Sequence, residues 1–360
     1  MHDAAAPAYS EDVPVASVYE RFADRECRGY SPLYERICRS IAGDPELLEV
    51  IGRGPATARQ PILLLAAVHH LLLGGVQHPL ADVYAGRSDA DAAPLFRELW
   101  LDHHDEVLAV ISSRHTQTNE IGRTAAIVPA LRWAADRLGE PLALVDVGAS
   151  AGLNLLCDRV RIDYGAHGET GPADAPVTVG CRILGGRPPI RGTAPVIAAR
   201  VGLDREPVDL DDDDATRWLL ACVWPDTGRL ERTAAALELA RGLRPVVHEG
   251  DAATDLAPLL AALPDGVLPC VTTTWVLAYL GPAQRTAVVE QLARAGRERP
   301  VVWISAESSG VVEVFAPGPP PEHDTVTPTL LGAVIFDREG AHPTELGWIH
   351  PHGAWLDWRA

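Results

Sequence analysis

The residue pattern changes once along this 360-residue chain, near residue 140, and the change limits the folds available to it. Before it, apolar residues recur at helical spacing, as in Leu33, Ile37 and Ile41, and no alternation of period two is found. After it, short apolar runs alternate with helical segments, which is typical of a parallel sheet with helices on both faces. We therefore predict an all-helical domain over 1–140 and an α/β domain with a doubly wound, mostly parallel sheet over 141–360.

Seven runs after residue 140 have the length and composition of strands. They are 142–147, 195–203, 244–249, 269–274, 300–306, 333–336 and 347–350. The last two flank a turn at Glu339-Gly340, so we predict an antiparallel hairpin at the edge of a seven-stranded sheet. A Gly/Pro-rich stretch over 163–193 is predicted to be an insertion.

Helix boundaries are marked at several places in the sequence. Asp44 followed by Pro45 predicts a capped helix start. Single helices are predicted over 94–113 and over 119–138, the second kinked at Pro129 and closed by Gly139. The run 61–73 is apolar on nearly all sides, which predicts a buried central helix.

Composition excludes several classes of protein. All 31 basic residues are arginine, whereas a Walker-type phosphate loop and a pyridoxal Schiff base both require lysine. The net charge of −18 and the lack of a basic run argue against a nucleic acid partner. We predict no membrane span, no metal and a cytoplasmic location, because no long apolar segment occurs and the six cysteines form no Cys-x-x-Cys pair. A small molecule is the predicted partner.

The stretch VDVGASAGLNL, residues 145–155, fits two incompatible chemistries. The spacing Asp146-x-Gly148-x-x-x-Gly152 is typical of a turn that admits a nucleotide-like cofactor against its backbone, with the N-terminus of a helix beginning near Ala151 holding an anionic group. The spacing Gly148-x-Ser150-x-Gly152 is that of a serine-hydrolase nucleophile elbow.

The hydrolase interpretation is the weaker one. A nucleophile elbow follows several strands and often an HGGG-like loop, but the region before Val145 is helical and has no such loop. A triad of Ser150, Asp251 and His352 can still be assembled. A nicotinamide fingerprint is also weak, because Ser150 and Leu153 stand where two of its three glycines are required.

The stretch resembles motif I of the class I S-adenosylmethionine-dependent methyltransferases, and three further motifs follow in the order of that family. Asp204 ends a strand where the family places the acid that binds the ribose hydroxyls, and Asp163 is the alternative. The turn Gly250-Asp251-Ala252 resembles the one whose acid meets the adenine amino group. Residues 272–280, TTTWVLAYL, resemble the segment beside the transferable methyl group. The resemblance implies S-adenosylmethionine as cofactor, held by Asp146, Gly148, Ser150, Gly152, Asn154, Asp204, Gly250, Asp251, Ala252, Thr274 and Trp275.

The whole chain also resembles a bacterial family catalogued as domain of unknown function 2332. The segments that carry this resemblance are SPLY at 31–34, AAVHHLLL at 66–73, TQTNEIGR at 116–123, DVGASAGLNLL at 146–156, CVWPD at 222–226 and HPHGAWLDW at 350–358. This resemblance implies a helical domain followed in the chain by a methyltransferase-like domain.

Candidate substrate and base residues lie outside these cofactor motifs. Asn119, Glu120 and Arg123 begin a helix with more polar groups than capping needs, so we predict that they line a lid over the site. Tyr34 and His69 are further candidates for binding the substrate. The candidate bases are His352, Glu120 and His248.

We predict methyl transfer to a small molecule as the reaction. The alternatives are another reaction of the same cofactor (aminocarboxypropyl transfer or cyclisation), serine hydrolysis at Ser150, and cofactor binding without catalysis.

Overall fold

The computed structural model describes residues 13–139, 141–190, 195–323 and 326–360, and these form two compact units. The helical unit contains the described residues up to Thr118, together with Asp212–Thr233 and Val326. The sheet unit contains the described residues of Asn119–Asp211, Ala234–His323 and Thr327–Ala360.

The described part of the helical unit contains helices and no strand. Its helices are α1 (Val15–Phe22), α2 (Pro32–Ala42), α3 (Pro45–Arg53), α4 (Pro61–Leu73), α5 (Leu80–Tyr84), α6 (Ala92–Asp102), α7 (His104–Ser113) and α9 (Asp213–Ala221). The carboxylate of Asp44 accepts the Glu46 and Leu47 amides and Pro45 is the first residue of α3, which confirms the predicted cap. The helix predicted over 94–113 is wrong in one respect: it is interrupted at His103, whose φ of −120° is not helical.

The segment 212–233 belongs to the helical unit because its side chains are bonded into it. Asp226 accepts the Ser31 hydroxyl at 2.6 Å and the Leu33 amide at 2.9 Å, so it satisfies donors of the first turn of α2. Trp224 packs against Tyr34, with ring centroids 5.4 Å apart.

The sheet unit is built on a nine-stranded sheet. In chain order its strands are β1 (Leu142–Val147), β5 (Arg182–Gly185), β6 (Ile197–Asp204), β7 (Val247–Glu249), β8 (Leu268–Thr274), β9 (Val301–Ser308), β10 (Thr329–Phe336), β11 (Ala341–Ile349) and β12 (Trp355–Trp358). A small second sheet contains β2 (Arg161–Asp163), β3 (Glu169–Thr170) and β4 (Thr178–Gly180). The helices of this unit are α8 (Thr124–Leu138), α11 (Ala252–Ala261) and α12 (Pro282–Glu298). Helix α10 (Leu230–Leu243) begins in the segment Asp212–Thr233, which is assigned to the helical unit, and its residues from Ala234 onward are assigned to the sheet unit.

The strand order of the large sheet is β5-β12-β11-β10-β9-β8-β1-β6-β7. The five strands from β9 to β7 are parallel, and the chain passes outward from β1 through β6 to β7 before it returns to β8 on the other side of β1. The strand order therefore reverses at β1. The mixed α/β class with a mostly parallel sheet is confirmed.

The predicted count of seven strands is wrong, because the sheet has nine. The hairpin of β10 and β11 is present and antiparallel, but it does not form the edge. Strand β12 continues the sheet beyond β11, and β5, which comes from the predicted insertion, pairs with β12. Neither segment shows a long apolar run that would mark it as a strand.

The compact units do not divide the chain at residue 140. Helix α8 belongs to the sheet unit, where Ala125 accepts the buried Tyr164 hydroxyl at 2.9 Å. Pro129 lies inside this helix and Gly139, with a φ of 92°, ends it. Among the described residues, every helix is too short or too polar to cross a lipid bilayer.

Candidate functional site

The carboxyl ends of several strands meet at one edge of the large sheet. The parallel strands β1, β6, β8 and β9 all end there. Strand β11 also ends there, because Thr329 of β10 pairs with both Ser308 of β9 and Ile349 of β11. In open α/β sheets, ligands bind at this edge, next to the strand where the order reverses. We call it the carboxyl edge.

The glycine-rich turn after β1 has a left-handed backbone at three positions. The φ angles are 74° at Gly148, 52° at Ser150 and 74° at Gly152. A Cβ atom on Gly148 would lie 2.6 Å from Cγ2 of Val276, so the loop after β8 packs directly on this turn. Only glycine fits this conformation and this contact at position 148.

Ser150 is joined to the end of the neighbouring strand. Its backbone amide donates to Oδ2 of Asp204 at 2.7 Å, while Oδ1 of Asp204 accepts the Glu206 amide at 2.8 Å. The Ser150 hydroxyl is buried and has no hydrogen-bond partner among the described residues. No imidazole is therefore bonded to it, as a hydrolase triad would require.

The segment after the turn is a 3₁₀ helix over Leu153–Arg159, so the regular helix predicted to begin near Ala151 is wrong. Leu156 has non-helical φ and ψ angles, which interrupts the segment. The Leu153 amide donates to Oδ1 of Asn119 at 2.9 Å. The turn is therefore not followed by the regular α-helix N-terminus that was expected to hold an anionic group.

Asp146 lies buried at the end of β1. Its Oδ1 accepts the Thr272 hydroxyl at 2.6 Å, and its Oδ2 has no partner among the described residues. Burial raises the pKa of Asp146 to about 7, although the Thr272 bond and the nearby Arg123 charge act in the opposite direction. The side-chain amide of Asn154 lies 3.4 Å from the Thr274 hydroxyl.

Arg123 is buried and connects two parts of the carboxyl edge. Its Nη1 donates to the Thr274 carbonyl at 2.9 Å, and its Nε donates to the Pro351 carbonyl at 3.1 Å. The turn at 350–353 also contacts this segment through its backbone, since a Cβ on Gly353 would lie 1.9 Å from the Gly122 carbonyl oxygen. The segment 119–123 is thus in contact with residues of the carboxyl edge.

The structure brings two of the three predicted bases together. Nδ1 of His352 lies 3.6 Å from Oε2 of Glu120. The Glu120 side chain is 1% exposed and its Oε1 accepts the Gly122 amide, whereas the His352 side chain is 20% exposed. A partly exposed imidazole beside a buried carboxylate has the arrangement of a base and its orienting group.

Glu307, at the end of β9, was not predicted. Its Oε1 accepts the backbone amides of Val276 and Leu277 at 3.0 and 3.1 Å, which fixes the loop in which Trp275 has a φ of 58°. Its Oε2 is buried and unpartnered among the described residues, and burial raises its pKa to about 7. The sequence does carry a signal for it, because Glu307 follows the apolar run VVWISA just as Asp204 follows the apolar end of β6.

The turn Gly250-Asp251-Ala252 lies beyond the end of β7. The Gly250 amide donates to the Asp204 carbonyl at 2.8 Å, so this turn lies beside the end of β6. Asp251 caps α11 through the Ala253 amide and forms an ion pair with Arg205 that lowers its pKa. Ala252 is the first residue of α11.

Three further candidates lie elsewhere. His248 is exposed on β7, the edge strand. Tyr34 and His69 are buried in the helical unit, and Nδ1 of His69 is 3.1 Å from the Ala221 carbonyl. Burial lowers the pKa of His69 to about 4. Substrate binding by Tyr34 and His69 stays a prediction. No group of three or more potential metal ligands occurs in the described part of the chain.

These features define an α/β protein with a buried polar site at the carboxyl edge of a mostly parallel sheet. The chain belongs to the family described as "Uncharacterized protein conserved in bacteria (DUF2332)", whose model matches residues 16–358. Among solved structures it is similar to the sugar N-methyltransferase KedS8 from Streptoalloteichus sp ATCC 53650. The two are 17% identical, with a TM-score of 0.24 over 62% of this chain and 70% of that chain. No curated protein matches the chain.

Proposed function

We propose that the chain is an S-adenosylmethionine-dependent methyltransferase that acts on a small molecule. One observation carries the proposal. The carboxylate at the end of β6 and the glycine-rich turn after β1 are joined by the bond from Ser150 to Asp204, at the strand where the order reverses. This is where a doubly wound sheet binds a nucleotide-like ligand.

The residues at this edge fit such a cofactor. Both oxygens of Asp204 keep a lone pair for ribose hydroxyls after they accept the Ser150 and Glu206 amides. Asp163, the alternative ribose acid, lies on β2 of the small sheet and accepts the Gly165 amide. The position of Asp204 beside the turn favours it over Asp163.

The remaining cofactor contacts follow from the same placement. Asp251 would meet the adenine amino group, and Gly148 and Gly152 would allow close approach of the backbone. Thr274 ends β8 beside the turn and Trp275 follows it, so both would lie near the transferable methyl group. When bound, S-adenosylmethionine supplies an electrophilic methyl group on a positively charged sulfur.

The protein's own contribution is to align the acceptor and to receive its proton. We assign the proton to His352, with Glu120 orienting the imidazole and stabilising its charged form. Asn119 and Arg123 would act by holding this segment against Leu153 and Thr274.

The ribose assignment is tested by an Asp204→Ala variant. We expect the dissociation constant of S-adenosylhomocysteine, measured by calorimetry, to rise about tenfold or more, because charge-assisted bonds to the hydroxyls are lost. An Asp163→Ala variant is the control and should bind as the wild type does. Weaker binding by the control, with unchanged binding by Asp204→Ala, would reverse the assignment. A wild-type chain that binds neither S-adenosylmethionine nor S-adenosylhomocysteine would refute the proposed function.

Other reactions of the same cofactor are separated by their products. Methyl transfer releases S-adenosylhomocysteine, whereas aminocarboxypropyl transfer releases methylthioadenosine. Mass spectrometry of the nucleoside product therefore decides between them. A chain that binds the cofactor tightly but yields no product with any acceptor would favour the non-catalytic alternative.

A serine hydrolase is the second candidate, because the φ of 52° at Ser150 is the strained backbone of a nucleophile elbow. A Ser150→Gly variant separates the two candidates. Glycine adopts this conformation without strain, so we expect the free energy of unfolding to rise by about 1 kcal/mol and cofactor binding to persist. Labelling of the wild type by a fluorophosphonate probe, lost in Ser150→Gly, would instead support the hydrolase.

A further inference from the structure

The turn that contains His352 is held by a side chain as well as by its backbone. The His352 amide donates to Nδ1 of His350 at 3.0 Å, and the Gly353 amide donates to the His350 carbonyl at 2.9 Å. The two imidazole rings lie 5.6 Å apart, measured between their centroids. His350 therefore bonds directly to the backbone of the residue that we assign as the base.

The His350 ring has a fixed position directly after β11. The residue is 5% exposed, and its backbone amide donates to the Trp355 carbonyl at 3.0 Å. The ring packs edge-on against the Trp355 indole, with centroids 6.1 Å apart. Pro351 follows His350 and restricts its backbone to extended conformations. The ring is therefore a rigid acceptor for the His352 amide.

The turn 350–353 is fixed from its other side by the segment that contains Glu120. Nε of Arg123 donates to the Pro351 carbonyl at 3.1 Å. Nδ1 of His352 lies 3.6 Å from Oε2 of Glu120 across the same contact. A change in the backbone at His352 therefore changes the distance between the assigned base and its carboxylate.

The bond between His350 and the His352 amide exists in only one protonation state of the imidazole. A neutral ring with its proton on Nε2 accepts at Nδ1, whereas a protonated ring donates from both nitrogens. Protonation would therefore place two N–H donors 3.0 Å apart. The ring or the turn would then have to move.

Charged and titratable side chains lie on the elements around this turn. By element they are His352 in the turn itself, Glu120 and Arg123 on the facing segment, Arg182 on β5, and His323 beside Trp355 of β12. Arg123 and Arg182 oppose a further positive charge, whereas Glu120 favours one. Protonation of the His350 ring is therefore followed directly in the experiments below.

We propose that His350 is a positioning residue for the base His352. Its neutral imidazole holds the His352 amide, and this keeps the His352 ring beside Glu120. Protonation of His350 releases the amide, so the base and its carboxylate lose their arrangement in acid. The inference rests on the proposed function for the role of His352, and it adds a pH-dependent control of that same site.

NMR spectroscopy on the full chain, with isotope-labelled histidine, tests the protonation state of the ring. At about pH 8 we expect His350 to be neutral with its proton on Nε2, because Nδ1 accepts the amide. The His350 signals are identified as those that are missing from a His350→Asn variant. A His350 ring with its proton on Nδ1 at this pH would overturn the inference.

Exchange of the His352 amide proton with deuterium tests the pH-dependent release. After correction for the intrinsic pH dependence of exchange, we expect protection to fall about tenfold in acid, the size of one lost hydrogen bond. The fall should follow the titration of the His350 ring in the same spectra. Protection that stays constant through this titration would overturn the proposed control.

Two variants and one control separate positioning from packing. In His350→Asn the side-chain oxygen can accept the amide two residues on but cannot be protonated, so protection should persist without a dependence on pH. In His350→Phe the ring contact with Trp355 is kept and the acceptor is lost, so protection should be low at every pH. His342→Asn, at an exposed position of β11, should behave as the wild type does. Equal protection in His350→Phe and the wild type at about pH 8 would contradict the positioning role.

The link to the base is tested by the effect of Glu120 on the His352 ring. Glu120→Gln removes the carboxylate charge beside this ring, so the NMR signals of the ring should shift. The shift should be of similar size in the His350→Asn background and at least about twofold smaller in the His350→Phe background. A shift of the same size in all three backgrounds would show that His350 does not position the base.

None of these measurements requires a bound cofactor, so the inference and the proposed function fail separately. A wild-type chain that binds S-adenosylhomocysteine in calorimetry but has the wrong His350 tautomer would overturn only the inference. A chain that binds neither S-adenosylmethionine nor S-adenosylhomocysteine would refute the proposed function and, with it, the role of His352 as a base.

Discussion

Replacing Gly148 by alanine is expected to weaken S-adenosylhomocysteine binding at least about a hundredfold and to lower the free energy of unfolding by about 3 kcal/mol. Two effects add. Alanine is strained at a φ of 74°, and its Cβ would lie 2.6 Å from Val276, which Glu307 holds in place. The loop after β8 would have to move away from the turn and would displace Thr274 and Trp275.

The matched control for this variant is Gly266→Ala. Gly266 also has a φ of 74°, but nothing lies within 4 Å of an added Cβ. It should lose only about 1 kcal/mol of stability, from backbone strain, and should keep full affinity for the ligand. Urea denaturation and calorimetry on both variants separate strain from crowding. Equal losses in the two variants would show that the contact with Val276 has no role.

Replacing Arg123 by methionine is expected to lower the free energy of unfolding by about 4 kcal/mol at neutral pH. The substitution leaves the Thr274 and Pro351 carbonyls without their donor. It also removes the positive charge that favours ionisation of Asp146 and Glu307. Urea denaturation followed by tryptophan fluorescence measures the loss.

The loss caused by Arg123→Met should depend on pH in a defined direction. The pKa values of Asp146 and Glu307 are raised on folding, so each acid makes the fold less stable as pH rises from its ordinary pKa towards about 7. Arg123 opposes this effect only when the acids are ionised. The difference between variant and wild type should therefore be smaller at about pH 5 than at about pH 8.

Arg161→Met is the control for Arg123→Met. Arg161 pairs with Glu169 on the small sheet, and both side chains are exposed. Its removal should change stability by less than about 1 kcal/mol at either pH. A similar loss in both variants, or a loss for Arg123→Met that does not vary with pH, would contradict the electrostatic role of Arg123.

Much of the central sheet could be predicted because its signals are local. Apolar runs that lead to Asp146 and Asp204 mark β1 and β6. The spacing of the glycines marks the turn that follows β1. The 3.6-residue periodicity likewise marks the helices before residue 118. In each case a window of a few residues contains the information.

The rest depends on contacts between residues far apart in the chain. Asn119 and Arg123 are predicted from the sequence to be polar site residues, but their partners Leu153, Thr274 and Pro351 lie 34, 151 and 228 residues away. No local pattern shows these pairings. Strand β12 was missed because its motif WLDW is only four residues long. Its two tryptophans are buried, and it pairs with β11 on one side and with β5 on the other.

The pairing of β5 with β12 has a consequence for how the protein assembles during synthesis. Strand β5 leaves the ribosome about half a chain earlier than the strand beside it. Strand β5 therefore stays unpaired until residues 355–358 have been synthesised. The turn that contains His352 can form only when β12 is in place. Such late, non-local pairing slows folding and exposes intermediates to aggregation. Chains interrupted shortly before residue 355 should therefore accumulate as insoluble species.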